Sequence, residues 1–136
     1  MDAALEKMPM TTEPASQRLC GKRILIVEDW LFVADEIQDW LEAEGSEVLG
    51  PVPTVAAALD TIRSNDIDAA VLDVNLGGEF VFDAAVELDR RGVPYVFTTG
   101  YSASQLPAEF ASRPCLPKPI DCDRLCSLLH EQLRPA

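Results

Sequence analysis

The sequence predicts an α/β fold in which a parallel sheet is covered by helices on both faces. Three observations carry that prediction. After Lys22 and Arg23, apolar strand-like runs alternate with amphipathic helical patterns five times over. Two of the runs, Ile24-Leu25-Ile26-Val27 and Ala69-Ala70-Val71-Leu72, are continuously apolar, as expected of strands buried on both faces. Both also end in acids, Glu28 and Asp29 after the first and Asp73 after the second. Carboxylates so placed gather at the carboxyl edge of the sheet, where open α/β folds keep their ligand sites.

Each element follows from local pattern. The first helix is expected over 31–44, with Val33, Ile37, Trp40 and Leu41 spaced as a core stripe and Gly45 as a natural stop. Glu47, Val48 and Leu49 form a short second strand. Thr54 has the chemistry of an N-cap for a second helix, on which Val55, Ala58, Leu59 and Ile62 share a face. The third strand ends at Asp73 and leads into a loop, 74–78, whose Gly77 and Gly78 permit a tight turn. A third helix is expected over 81–90, ending near Gly92, and a fourth strand over 95–98. The last helix starts after Asp121 and turns Leu125, Leu128, Leu129 and Leu133 inward. Between Gly100 and Pro114 the pattern weakens: 104–110 could form a short helix, but Pro107 limits it to a turn or two.

A chain of 136 residues is one domain of ordinary size. Residues 1–21 carry Met, Thr, Glu, Pro and Ser without periodicity and read as a flexible N-terminal extension, leaving 22–136 as the folded domain. A formal net charge of −12 argues against nucleic acid, whose phosphates nothing here would neutralise. Cys20, Cys115, Cys122 and Cys126 lack CxxC spacing, and the single histidine, His130, is not placed with them as a zinc ligand would be. No signal-peptide core and no membrane-length apolar stretch is present, so a cytoplasmic location is expected.

The chemistry lies at the strand ends. Tyr95-Val96-Phe97 runs into Thr98-Thr99-Gly100, and Cys115-Leu116 runs into Lys118-Pro119, so one edge would hold acids, a hydroxyl and a lysine. Of the two threonines, strand alternation and the following glycine favour Thr99. Three neighbouring carboxylates resist ionising together unless a cation joins them. Magnesium suits two carboxylates, a backbone carbonyl and several waters. Attack of an aspartate oxygen on phosphorus would give an acyl phosphate. Such in-line transfer depends on positioning and charge stabilisation, to which Lys118 could bring a mobile positive charge and Thr99 a hydrogen bond.

With these pieces in order (Ile-Leu-Ile-Val-Glu28-Asp29, Val-Leu-Asp73, Phe-Thr-Thr99-Gly100-Tyr101, Leu-Pro-Lys118-Pro119), the chain resembles the receiver domain of two-component response regulators over about 22–134. The resemblance implies a flavodoxin-like (βα)5 fold, a doubly wound five-stranded parallel sheet of order 2-1-3-4-5. It implies Asp73 as phosphoacceptor, Asp29 as direct Mg2+ ligand, Glu28 acting through metal-bound water, and Asn75 contributing its backbone carbonyl. Thr99 would be the hydroxyl that moves toward the phosphoryl group and Lys118 its cationic partner, followed by a proline that in this family often forms a cis bond. The donor would be a sensor histidine kinase or a histidine phosphotransfer protein. The protein would catalyse only its own phosphorylation and autodephosphorylation, and signal through altered protein contacts.

Two departures stand out. The position three before the lysine, usually aromatic, is Cys115, and the segment from Thr99 to Lys118 is short and contains Pro107. The Phe-Thr-Thr-Gly-Tyr run and the short segment resemble single-domain receivers of alphaproteobacteria that have a Phe-Ala-Thr-Gly-Tyr motif and a reduced fourth helix. Tyr101 is then the candidate for a residue that gates or reports the site. A phosphorylation-independent docking module on the same scaffold is the alternative. A dehalogenase-type phosphatase would want a second acid where Asn75 stands. The last helix and its neighbours offer a surface on which two copies could pair.

Overall fold

A computed structural model describes residues 18–100 and 106–134. Five parallel strands form the sheet: β1 (Arg23–Val27), β2 (Glu47–Val52), β3 (Ala69–Asp73), β6 (Tyr95–Thr99) and β7 (Cys115–Pro117), in the order β2-β1-β3-β6-β7. Counting only the strands of this sheet, that is the expected 2-1-3-4-5. The helices are α1 (Leu31–Ala43), α2 (Val55–Ser64), α3 (Phe82–Arg90) and α4 (Cys122–Leu133).

Because each central strand is buried on both faces, its alternate side chains feed two separate cores. Leu25, Val27, Leu72, Tyr95 and Phe97 pack toward α2 and α3. Ile24, Ile26, Val71, Val96 and Leu116 pack toward α1 and α4, against Ile37, Leu41, Leu125 and Leu129. The stripe of α1 is rotated slightly from the expected one: Ala34, Ile37 and Leu41 are fully covered, while Val33 and Trp40 lie at the margin. The caps are those expected. Thr54 Oγ1 accepts from the Ala57 amide at 3.1 Å, and Asp121 Oδ1 from the Arg124 amide at 3.0 Å.

Two features depart from local expectation, and the fourth helix is reduced as expected. The loop after Asp73 contains a small antiparallel hairpin, β4 (Asn75–Leu76) with β5 (Glu79–Phe80), turned by Gly77 and Gly78 at φ +64° and +100°. Where a fourth crossover helix was open, the described residues hold only a 3-10 turn, Ala108–Phe110, behind Pro107. Its Phe110 is buried and stacks on Phe82 with centroids 5.1 Å apart, so one aromatic ring covers that part of the sheet. Packing also reaches into the segment read as an extension. Leu19 is fully buried against the α1–α4 core, and Arg18 joins Glu44, which caps the end of α1, to Asp123 and Ser127 of α4. Residues 1–17 of that segment lie outside the described residues.

Candidate functional site: an acidic pocket at the carboxyl edge

Strand parity explains why the charged groups converge. Glu28, Asp73 and Lys118 each stand two residues beyond a member of the α1–α4 core, namely Ile26, Val71 and Leu116. The ladder continues far enough to hold them in step: the Glu28 amide donates to Val52 O at 3.0 Å and the Lys118 amide to Thr99 O at 2.8 Å. All three side chains therefore rise on the same face of the sheet at one edge.

There Lys118 Nζ lies 3.0 Å from Glu28 Oε1 and 3.2 Å from Asp73 Oδ2. Glu28 and Asp73 are buried and Asp29 is exposed. One oxygen from each of these three carboxylates lies within 4.8 Å of the others. Glu28 Oε2 also accepts from the Trp30 amide at 3.0 Å, which fixes the carboxylate from its own loop. The surrounding pocket has a volume of about 580 Å³ and also takes in Asn75, Gly77, Gly78 and Gly100. Asn75 Oδ1 accepts from the Gly78 amide at 2.7 Å, which ties that oxygen to the loop. A Cβ on Gly77 would stand 3.3 Å from Asp29 Oδ2, so glycine lets the loop close on that acid.

The electrostatics are unbalanced. Burial is the largest influence on Asp73, followed by the charge of Glu28; Lys118 opposes them without winning, and the pKa of Asp73 is pushed up to about 7. Burial works against the Lys118 ammonium, but its two carboxylate partners outweigh that and raise its pKa. Among the described residues, the Lys118 ammonium thus faces three acids. That donor set fits a hard divalent ion, which prefers carboxylate and carbonyl oxygens and would relieve the repulsion between Glu28 and Asp73.

Of the residues singled out from sequence, the structure brings Glu28, Asp29, Asp73, Asn75 and Lys118 together. Thr99 ends β6 and is buried, and strand alternation gives it the parity of Phe97. Its carbonyl anchors Lys118. The Lys118–Pro119 bond is cis. Cys115 packs half-buried on the α2–α3 core, and burial raises its thiol pKa. Tyr101 lies outside the described residues. Sequence reasoning missed two supports. Glu79, on the hairpin, accepts from the Val55 amide at 3.3 Å and ties the acceptor loop to the start of α2; no local pattern announces that contact. The Trp30 amide bond to Glu28 was legible in principle, as a carboxylate two residues before an amide.

The model of the response regulator receiver domain matches residues 24–130. The chain is 33% identical over 107 residues to the sensory transduction protein LytT of Bacillus subtilis, covering 76% of this chain and 44% of LytT. It therefore spans less than half the length of that relative. The solution structure of SdrG from Sphingomonas melonis Fr1 is 41% identical with a TM-score of 0.74, covering 84% of this chain and 98% of SdrG. The BeF3-activated conformation of SdrG, from Pseudomonas melonis Fr1, gives 39% and 0.71, covering 85% and 98%. On the match over 24–130, this chain belongs to the response regulator receiver domain family.

Proposed function

We propose that Asp73 accepts a phosphoryl group from a phosphohistidine on a sensor kinase or phosphotransfer protein, and that residues 22–136 act as a receiver that signals through altered protein contacts. As a receiver domain the chain is not a conventional enzyme, and histidine-kinase phosphodonors are implied by the family. The observation that carries the proposal is the clustering of Glu28, Asp29 and Asp73, with Lys118 paired to Glu28 and Asp73.

In the transfer, an Asp73 carboxylate oxygen forms a bond to phosphorus as the donor's N–P bond breaks, and the electron pair leaves on the imidazole nitrogen, which takes up a proton. Lys118 holds the Asp73 carboxylate in place and draws the incoming anion by charge. Glu28, Asp29, Asp73 and the Asn75 carbonyl would hold Mg2+. Bound there, the ion would supply charge neutralisation to carboxylates and phosphoryl group alike. Thr99 is proposed to supply a hydroxyl to the phosphoryl group.

The approach of a protein donor is supported by the surface beside the pocket. Trp30, Leu31 and Phe32 are 62%, 70% and 71% exposed. Trp30 and Lys118 line both the acidic pocket and an adjoining apolar groove with Phe32, Trp40 and Ile120. A donor placing its histidine over Asp73 would cover that patch.

The test is intact-mass analysis after incubation with acetyl phosphate and Mg2+. The wild type is expected to gain one phosphoryl group mapping to Asp73, and Asp73→Asn none. An undiminished adduct on the variant removes Asp73 from its role.

A further inference from the structure

Thr98 carries an observation the receiver reading does not use. Among the described residues, three buried side-chain atoms lack a hydrogen bond: Arg23 Nε, Glu28 Oε1 and Thr98 Oγ1. The first two stand in ion pairs, with Glu47 at 3.5 Å and Lys118 at 3.0 Å. No ion pair can serve a hydroxyl, and Thr98 is only 1% exposed. An unsatisfied buried hydroxyl is destabilising, and valine of the same shape would avoid it.

Its position points to what the hydroxyl serves. Thr98 stands two residues beyond Val96 of the α1–α4 core, so it shares the parity of Glu28, Asp73 and Lys118. In register it lies opposite Asp73 on β3 and opposite Leu116 on β7. Because β6 separates β3 from β7, the Lys118 side chain must cross over β6 to reach Asp73 Oδ2. Thr98 is the β6 residue on that face at that level. Register and parity thus put Thr98 on the strand that the Lys118–Asp73 bridge spans.

We propose that Thr98 is a positioning residue for phosphoryl transfer, its hydroxyl donating to the Asp73 carboxyl group when Lys118 turns from it to the incoming phosphoryl group. The inference rests on Asp73 being the acceptor. A phosphoryl group carries more charge than the carboxylate and competes for the ammonium. The Asp73 oxygen that Lys118 releases is buried and needs a donor, and Thr98 Oγ1 is the neighbouring hydroxyl without one.

The experiment compares wild type, Thr98→Val, Thr98→Ser, Thr98→Ala and Asp73→Asn for the initial rate of phosphoryl uptake from acetyl phosphate with Mg2+, and for melting temperature. Loss of one hydrogen bond to a charged group predicts that Thr98→Val slows uptake roughly tenfold. Its melting temperature should stay level or rise, since an orphaned polar group is gone. Thr98→Ser should keep the rate within about twofold of wild type. Thr98→Ala repeats the loss of the hydroxyl if the valine variant fails to fold. Full-rate uptake by the variants lacking the hydroxyl, with Asp73→Asn unlabelled, overturns the role of Thr98 and leaves the acceptor standing. Equal loss in the serine variant would show that shape matters instead of the hydroxyl, and overturns it too. Absence of label on the wild type would sink both.

Discussion

At the carboxyl edge of the sheet, among the described residues, the Lys118 ammonium faces three carboxyl groups. At the amino edge, Asp89, Tyr95 and Arg113 form a polar cluster that is closed. The Tyr95 hydroxyl donates to Asp89 Oδ2 at 3.1 Å, Arg113 Nη2 donates to Asp89 Oδ1 at 3.0 Å, and the guanidinium lies 5.5 Å from the centre of the Tyr95 ring. Both oxygens of the acid have donors there. Burial first, and then the charge of Asp89, push the Tyr95 hydroxyl up to about 12, so it stays neutral under physiological conditions. Burial and the charge of Glu28 instead push Asp73 up to about 7, with Lys118 only partly opposing them. A pocket of about 420 Å³ opens at the amino edge as well, so a cavity alone does not distinguish the ends. Unmatched charge among the described residues does, and a bound cation would relieve it.

The comparison breaks hardest at Lys118. Lys118→Met leaves Glu28 and Asp73 buried without a cation; stability should fall by about 3 kcal/mol in metal-free denaturant melts at pH 8, and recover as the pH is lowered. A flat pH profile for that variant would contradict the unbalanced-charge reading. Next in size is the ion. If the pocket binds Mg2+, ligand at a hundred times its Kd should stabilise the wild type by about 2.7 kcal/mol, and Asp29→Asn should remove most of that gain.

Asp73→Asn should move stability the other way. The folded-state pKa of Asp73 is raised from 3.8 to about 7, so the native protein holds a proton that the unfolded chain releases across that window. Metal-free stability should therefore fall as pH rises from about 4 to about 7. The variant should lose much of this slope and melt a few degrees above wild type at pH 8, by roughly 4 °C for each kcal/mol. The smallest effect belongs to the closed cluster. Tyr95→Phe removes one neutral donor and should cost about 1 kcal/mol, with the same pH dependence as wild type and unchanged phosphoryl uptake. A change in uptake there would mean that the two ends are coupled.

Much of the fold was legible because doubly buried strands and amphipathic helices leave strong local signals. The runs before Glu28 and Asp73 became β1 and β3 with the expected register of apolar residues, and Thr54 and Asp121 are caps in fact. The hairpin after Asp73 was not legible. Two-residue strands have no periodicity to detect, and Glu79 finds its partner on a helix that precedes it by more than 20 residues. The short segment before β7 was anticipated only as a weak helix, because Pro107 speaks about backbone while the burial of Phe110 depends on Phe82 and Phe97.

By itself, the sequence determined the candidates: which residues end the strands, and that acids, a lysine and two threonines would share one edge. Only the tertiary structure decided which of those side chains share a face. Strand order and register set whether Lys118 must cross β6, and hence that Thr98 shares the parity of Asp73 on the strand between them while Thr99 takes the opposite parity. Hydrophobic periodicity reports burial within one strand. It does not carry the long-range hydrogen bonds that align one strand's parity with its neighbour's.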